Sequence, residues 1–389
     1  MKLSSRTLTS GMHYITRLPL SLLSNMGNGK TTASAECPAW VSERQDILER
    51  ADWLAHKVIV SPAELLKEMP AELGKNFGGQ WAIYSCAMFN AALANICRIY
   101  PDQKEKCLER MGQLIEIVNT PEIRRYDTIS WHEDAMNHLE GEKSHLSYLS
   151  LLAWMISDYM LAGDDCNTYD DLYERCCEAL NRRMLKSHDL NIPTFSNGIV
   201  FIPDMIPAII ALNNYSKLYD DRYASTVERW KASIRKRWIH KSTGLILAKS
   251  GKYRDPKGSY SALTCSYLSM VDEEFAREQY GLMKDVLGDI KFIMGKKMTG
   301  IREYLNYSPA FKFDPDAGPI VQGLSASGTA FAIGAATRLG DWRYRHDLLS
   351  TAEIAGSTQI GNGERHYRLA ELALVGEAVT LAMRTNISR

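Results

Sequence analysis

The chain has 389 residues, 45% of them hydrophobic, with 46 basic and 46 acidic side chains. That is apolar material for one large domain or two ordinary ones, and the zero net charge gives no overall electrostatic case for a nucleic acid or an anionic membrane as partner. The eight cysteines include no CxxC pair and several fall inside helical patterns, so they read as reduced core residues rather than a disulfide framework or a zinc site.

Residues 1–40 read as a flexible segment. LPLSLL (18–23) is short for a signal h-region, although ASAEC offers a cleavage-like site further on. An uncleaved segment and a cytoplasmic location are expected. GNGKTT (27–32) glances at a phosphate-binding loop, but Ser24 stands where that loop needs its first glycine, and Pro38 follows too soon for a helix. No nucleotide site is expected there. No run of about 18 purely apolar residues argues for a membrane span.

Residues 41–389 read as a single domain. After an amphipathic helix at 43–58, an apolar helix followed by an acidic turn and a charged helix recurs along the chain. The apolar helices fall at 80–98, 146–160, 205–215, 259–270 and 325–338. The acidic turns centre on Asp102, Asp165, Asp220, Asp272 and Asp341, spaced by 63, 55, 52 and 69 residues. Aspartate caps a helix by accepting the orphan amide hydrogens of the first turn. A period of roughly 50–60 residues suits a helical hairpin plus a long loop. A helix apolar on most sides must be buried on most sides, so the first of each pair is internal and the charged one external. The last apolar pattern, 367–384, has no outer helix after it, and the helix at 43–58 can supply one. Six hairpins closing on themselves make an all-α (α/α)6 toroid. Strand signals are sparse, the best being 198–202 and 245–248.

The connectors 120–142, 187–203, 239–258 and 294–323 are long, and each precedes an inner helix. In a toroid they gather over one end, where long structured loops commonly bind ligands. Candidate catalytic residues there are His145, Asp204, Tyr84 and Asp316. His145 can serve as acid or base or as a satisfied buried donor. Asp204 can cap a helix, or donate a proton if an apolar setting raises its pKa. Candidate substrate-binding residues are Trp81, Phe195, Phe201, Tyr253, Tyr260, Tyr304 and Asp314. Glu140, Glu142, Arg254, Lys257, Arg302 and Glu303 lie in the same connectors. His132 and Glu133 are followed by His138, which is the wrong spacing for a zinc pair on one helix face. No metal and no organic cofactor is expected. The small residues from Gly323 to Ala330 read either as close helix packing or as room for a ligand.

Several segments resemble the linalool dehydratase/isomerase-like family, whose members form an (α/α)6 barrel: LEGEKSHLSYLSLL (139–152), IPTFSNGIVFIPD (192–204), the segment at 257–280, DPDAGPIVQGLSASGTAFAIGAATRLGD (314–341) and LALVGEAVTLAMRT (372–385). The resemblance implies a terpenoid lyase or isomerase working by acid–base chemistry without a cofactor, with His145 in its site. Where that family has two cysteines before the third inner helix, this chain has Thr194 and Pro203, leaving Asp204 as the ionisable group. The first expectation is therefore a lyase or isomerase acting on a small, largely apolar alcohol or alkene. The alternatives are a glycan-active hydrolase or lyase, with Asp204 and Asp316 as its carboxylate pair, and a non-catalytic protein that binds a small ligand. The expected partner is a small-molecule substrate, with no nucleic acid, no membrane span, and a homo-oligomer as an open alternative.

Overall fold

The computed structural model describes residues 40–69, 78–163, 167–252, 254–314, 317–371 and 373–387. Helix α1 (Trp40–Val58) and the short α2 (Pro62–Glu68) lead to α3 (Gly78–Ile99). Then come α4 (Lys104–Val118), α5 (Pro121–Trp131), α6 (Leu146–Ala162), α7 (Asp170–Lys186), α8 (Ile202–Leu218), α9 (Ala224–Arg237), α10 (Gly258–Leu268) and α11 (Glu273–Leu287). Strands β1 (Gly288–Ile293), β2 (Lys296–Arg302), β3 (Phe311–Asp314), β4 (Gly318–Val321) and β5 (Leu324–Ser325) follow. The chain continues through α12 (Ala326–Arg338), α13 (Trp342–Gly356), β6 (Thr358–Gly361) and β7 (Glu364–Tyr367) to α14 (Leu374–Arg384).

Helices α3, α6, α8, α10, α12 and α14 pack in that order, and α14 returns to α3, so the inner ring closes. Their sequences are apolar on nearly all sides: α6 exposes no face and α3 buries most of its length. Among the described residues, α3 alone has the length and hydropathy of a membrane span, and 83% of its apolar window is buried within the protein. It still holds no run of about 18 purely apolar residues, since Asn90 and Asn95 interrupt it. Buried inner-ring helices and membrane spans have the same composition because both lack a polar face.

The charged helices α4, α7, α9, α11 and α13 form the outer layer, and α1 completes it against α14. Here the first and last described helices are joined by charges. Arg384 reaches Glu43 at 2.7 Å and also Asp46, Arg345 holds Glu43 at 2.7 and 2.9 Å, and the buried Arg50 donates to Glu377 at 2.7 Å. Buried charges are tolerable only when paired in this way.

Two of the acidic turns cap as expected: Asp272 accepts from the Phe275 amide and Asp341 from the Tyr344 amide. Asp102 instead pairs with Arg44, and Asp220 accepts from the Arg222 amide within its own turn. Asp165 lies outside the described residues.

The small residues of α12 serve close packing. A Cβ on Gly334 would lie 2.2 Å from Met383 Sδ and 2.9 Å from Ser266 Oγ, so α10, α12 and α14 meet there without side-chain spacers. At the neighbouring helix start, a Cβ on Gly258 would lie 2.1 Å from the Arg302 carbonyl oxygen.

The strands correct the sequence reading. The 198–202 and 245–248 segments make only isolated bridges, Phe201 with Lys249 and Ile239 with Ile246. The segment 294–323, expected as a loop, instead builds most of an antiparallel sheet in the order β1-β2-β5-β4-β3. Its strands contain Lys, Gly, Asp and Pro, residues poor in β-propensity. The pairing is directed by tight turns in which both residues have positive φ, Met294–Gly295 and Gln322–Gly323, and likewise Asn362–Gly363 between β6 and β7.

Candidate active site

The connectors into the inner helices touch one another in sequence. Helix α2 packs on α5, Ser130 Oγ donates to Ser196 Oγ (3.3 Å), the Ile202 amide to the Ala248 carbonyl (3.0 Å), and the Gly258 amide to the Glu303 carbonyl (2.9 Å). They therefore share the end of the ring at which the inner helices begin. As expected of long connectors, they carry structure of their own: α5 within 120–142 and the sheet within 294–323.

At the axis, Tyr84 of α3 and Tyr267 of α10 meet hydroxyl to hydroxyl at 3.1 Å, although their helices are not neighbours in the ring. Trp154 of α6 stands edge-on to Tyr267 with centroids 5.2 Å apart, and the Tyr267 hydroxyl lies 3.6 Å from Met88 Sδ. These side chains fill the centre. Asp204, in the first turn of α8, is half-buried, and its Oδ2 accepts from Thr194 Oγ1 at 3.0 Å. It does not cap α8, whose cap position is Phe201 with no side-chain bond. Burial pushes the phenols of Tyr84, Tyr126 and Tyr267 upward, and the Asp204 charge raises all three further. One carboxylate thus acts on phenols from α3, α5 and α10.

Trp81 lies one turn before Tyr84 and is half-buried, as are Phe195, Phe201 and Tyr260. The Phe201 and Tyr260 rings are 5.9 Å apart, Lys249 Nζ lies 5.8 Å from the Phe201 ring, and Lys257 Nζ lies 5.1 Å from the Tyr260 ring. Lys257 joins this wall to a second cluster. Its ammonium is 3.1 Å from Asp314 and 3.3 Å from Glu303. Asp314 also accepts from the Tyr304 hydroxyl (2.8 Å) and the Ala317 amide (3.2 Å), so both its oxygens are used within the protein. Its place is a clasp holding β3 and β4 to the start of α10, rather than the open substrate contact expected. Glu303 is fully buried and accepts from the Ser259 amide and hydroxyl at 3.0 and 2.9 Å. Burial raises its pKa, against the pull of Lys257. Asp316 and Tyr253 lie outside the described residues.

His145 is 0% exposed. It sits at the start of α6 with a left-handed backbone (φ 49°). Its Nδ1 is 2.6 Å from Asp127 Oδ2, and its Nε2 is 3.3 Å from Glu133 Oε1. The expectation that it lines the pocket gives way to a carboxylate–imidazole–carboxylate line, buried at Asp127 and His145 and partly exposed at Glu133, flanked by the Trp131 ring at 5.6 Å. Asp127 is itself buried, and burial raises its pKa even with His145 beside it. Glu140 and Glu142 point outward to Arg182 and Lys186 of α7.

Asp127 and Tyr267 escaped the sequence reading. Asp127 was hidden because 120–142 read as loop, yet Ile123, Tyr126 and Asp127 are buried together on α5 at helical spacing. Tyr267 sat inside a helix read only as core.

The described cysteines are free and buried, and burial pushes the Cys176 and Cys265 thiols up to about 12.

Fold and site together describe an (α/α)6 toroid with its candidate chemistry at the inner-helix N-termini. Neither a protein-family model nor a curated protein matches the sequence. Among solved structures, the fold is similar to an α-1,6-mannanase (GH76A) of Salegentibacter sp. HEL1_6. The match has 10% identity over 88% of this chain and 98% of that one, with a TM-score of 0.54, and that structure is an inactive variant with alanine at two consecutive aspartate positions, in complex with α-1,6-mannotetrose. The asparagine variant of the same enzyme with α-1,6-mannotriose matches at 9% identity, with the same coverage and a TM-score of 0.52. At such identities the likeness carries the fold. Both structures are of one mannanase, and neither gives specific support to the terpene-alcohol family that the sequence segments resemble.

Proposed function

We propose that this chain is a glycan-active enzyme of the toroid type that cleaves a C–O bond by general acid–base catalysis at the inner-helix end of the ring. The observation that carries the reading is Asp204, a half-buried carboxylate in the first turn of an inner helix that accepts from the Thr194 hydroxyl and whose charge is felt by three buried phenols. In this reading Asp204 protonates the departing glycosidic oxygen. A second carboxylate, for which Asp316 is the candidate, serves as nucleophile or activates water on the opposite face of the sugar. Trp81, Phe195, Phe201, Tyr253, Tyr260 and Tyr304 would supply the flat faces on which sugar rings stack, and Tyr84 would form the floor. The structural neighbours, mannanases bound to mannose oligosaccharides, support the substrate class.

The test is release of reducing sugar from a panel of mannan and other glycan oligosaccharides. Asp204→Asn should lower kcat by about 10²–10⁴ with the fold intact. Wild-type turnover in that variant would remove Asp204 from the mechanism.

A second reading has one specific observation in its favour. The floor under Asp204 is aromatic and sulfur-bearing (Tyr84, Tyr267, Trp154 and Met88), which suits a small apolar alcohol undergoing loss or migration of its hydroxyl. Gas chromatography of allylic alcohols incubated with the enzyme separates the two: formation of an alkene (lyase) or of a rearranged alcohol (isomerase) without sugar release selects this reading.

A further inference from the structure

Among the described residues, strand β1 is a free edge of the five-stranded sheet. Its alternation leaves Ile290 52% and Phe292 73% exposed, and Met294, in the turn that follows, is 58% exposed. The turn is two residues long, with Met294 and Gly295 both at positive φ, so these side chains occupy the distal half of a tight hairpin. Three lysines accompany them. Lys291 pairs with Asp289 at 2.8 Å and Lys297 with Asp347 at 3.1 Å, while Lys296 has no ion pair among the described residues.

Pairing through the strand edge is obstructed. Ile290 stands opposite Thr299, whose backbone amide and carbonyl are both taken by Thr351 on the side away from β1. The Ile290 backbone groups therefore face the free edge. There Asp289 Oδ1 already accepts the Ile290 amide at 2.8 Å, a charged block of the kind that protects edge strands. Nor is the patch sized for a stable dimer, since a specific interface covers roughly 800 Å² on each partner and three side chains fall well short. An apolar tip with ammonium groups around it instead complements a surface that is greasy inside and anionic outside. Phe292 and Met294 can enter the acyl boundary while the lysines extend to headgroup phosphates. The chain's zero net charge does not oppose this, because the relevant field acts within a Debye length of about 8–10 Å.

We propose that the β1–β2 hairpin is a peripheral anchor for an anionic lipid surface. The experiment is co-sedimentation of the full chain with phosphatidylcholine vesicles, with and without phosphatidylserine, at low and high salt. Expected are binding about tenfold tighter to the phosphatidylserine vesicles and weakening with salt. Phe292→Ser with Met294→Ser, and separately Lys296→Glu with Lys297→Glu, should each lower binding about tenfold, with circular dichroism and melting unchanged. The proposal is overturned by absence of binding to anionic vesicles, by equal binding to neutral ones, or by either double variant binding as wild type. It is also overturned if light scattering shows a dimer that the Phe292 and Met294 substitutions dissolve.

Discussion

Asp127 and Asp204 contribute charges at the same phenol, Tyr126, but in different settings. Asp204 is partly open at the ring's end, whereas Asp127 is sealed behind His145. Because burial raises the folded-state pKa of Asp127 above its unfolded value, its contribution favours folding below the ordinary carboxylate range and is lost as pH rises through the folded value. Asp127→Asn keeps the shape without that titration. Urea unfolding should show the variant losing less stability than wild type between the acid and neutral sides of that window. An identical pH dependence in both would show that Asp127 does not titrate as described. The placing of Asp204 and Tyr84 at the loop end of the ring was legible in the sequence because they stand near the starts of apolar helices, where a toroid gathers its loops. The true setting of His145 was not, since both its carboxylate partners came from a stretch read as loop.

Inner helices approach one another through residues that have almost no side chain. Gly334→Ala drives a methyl group against Met383 and Ser266 and should destabilise by about 1–3 kcal/mol. Gly376→Ala in α14 meets nothing within 4 Å and should be neutral or stabilising by up to about 1 kcal/mol. Denaturant midpoints of the two variants, with unchanged slopes, check the contrast. Helical elements were readable because the outer helices carry a one-sided apolar stripe and the inner ones a long, almost uncharged apolar run. The strands were not, because their order is imposed by turns rather than by β-formers. An Asn-Gly pair is a hairpin signal but not a sufficient one: Asn362–Gly363 joins β6 to β7, whereas Asn197–Gly198 joins no pair of strands.

The ring as a whole is closed by a charge seam between its first and last helices. Burial alone would raise the carboxyls of Glu43 and Asp46, but Arg384, with Arg345 on Glu43 and Arg50 on Asp46, holds both below the usual range, Asp46 at about 2. Folded-state pKa values below the unfolded ones stabilise above the ordinary carboxylate range, and that stability is lost as pH falls through the folded values. Acid should therefore open the seam between about pH 4 and about pH 2. Glu43→Gln should cost about 3–5 kcal/mol at neutral pH by leaving the buried Arg345 guanidinium without its carboxylate, while Arg384 keeps Asp46, measured by thermal unfolding across that range. The closure was visible in the sequence as a final apolar helix lacking an outer companion. The seam also brings Glu43 and Arg384 into contact although 341 positions separate them. In a chain begun at Trp40, a short peptide tether between these two neighbouring helices would allow the ring to be cut afresh in an exposed turn elsewhere. Such a circular permutant should regain the same toroid, and it should do so faster, because its hardest long-range encounter would already have been made covalent.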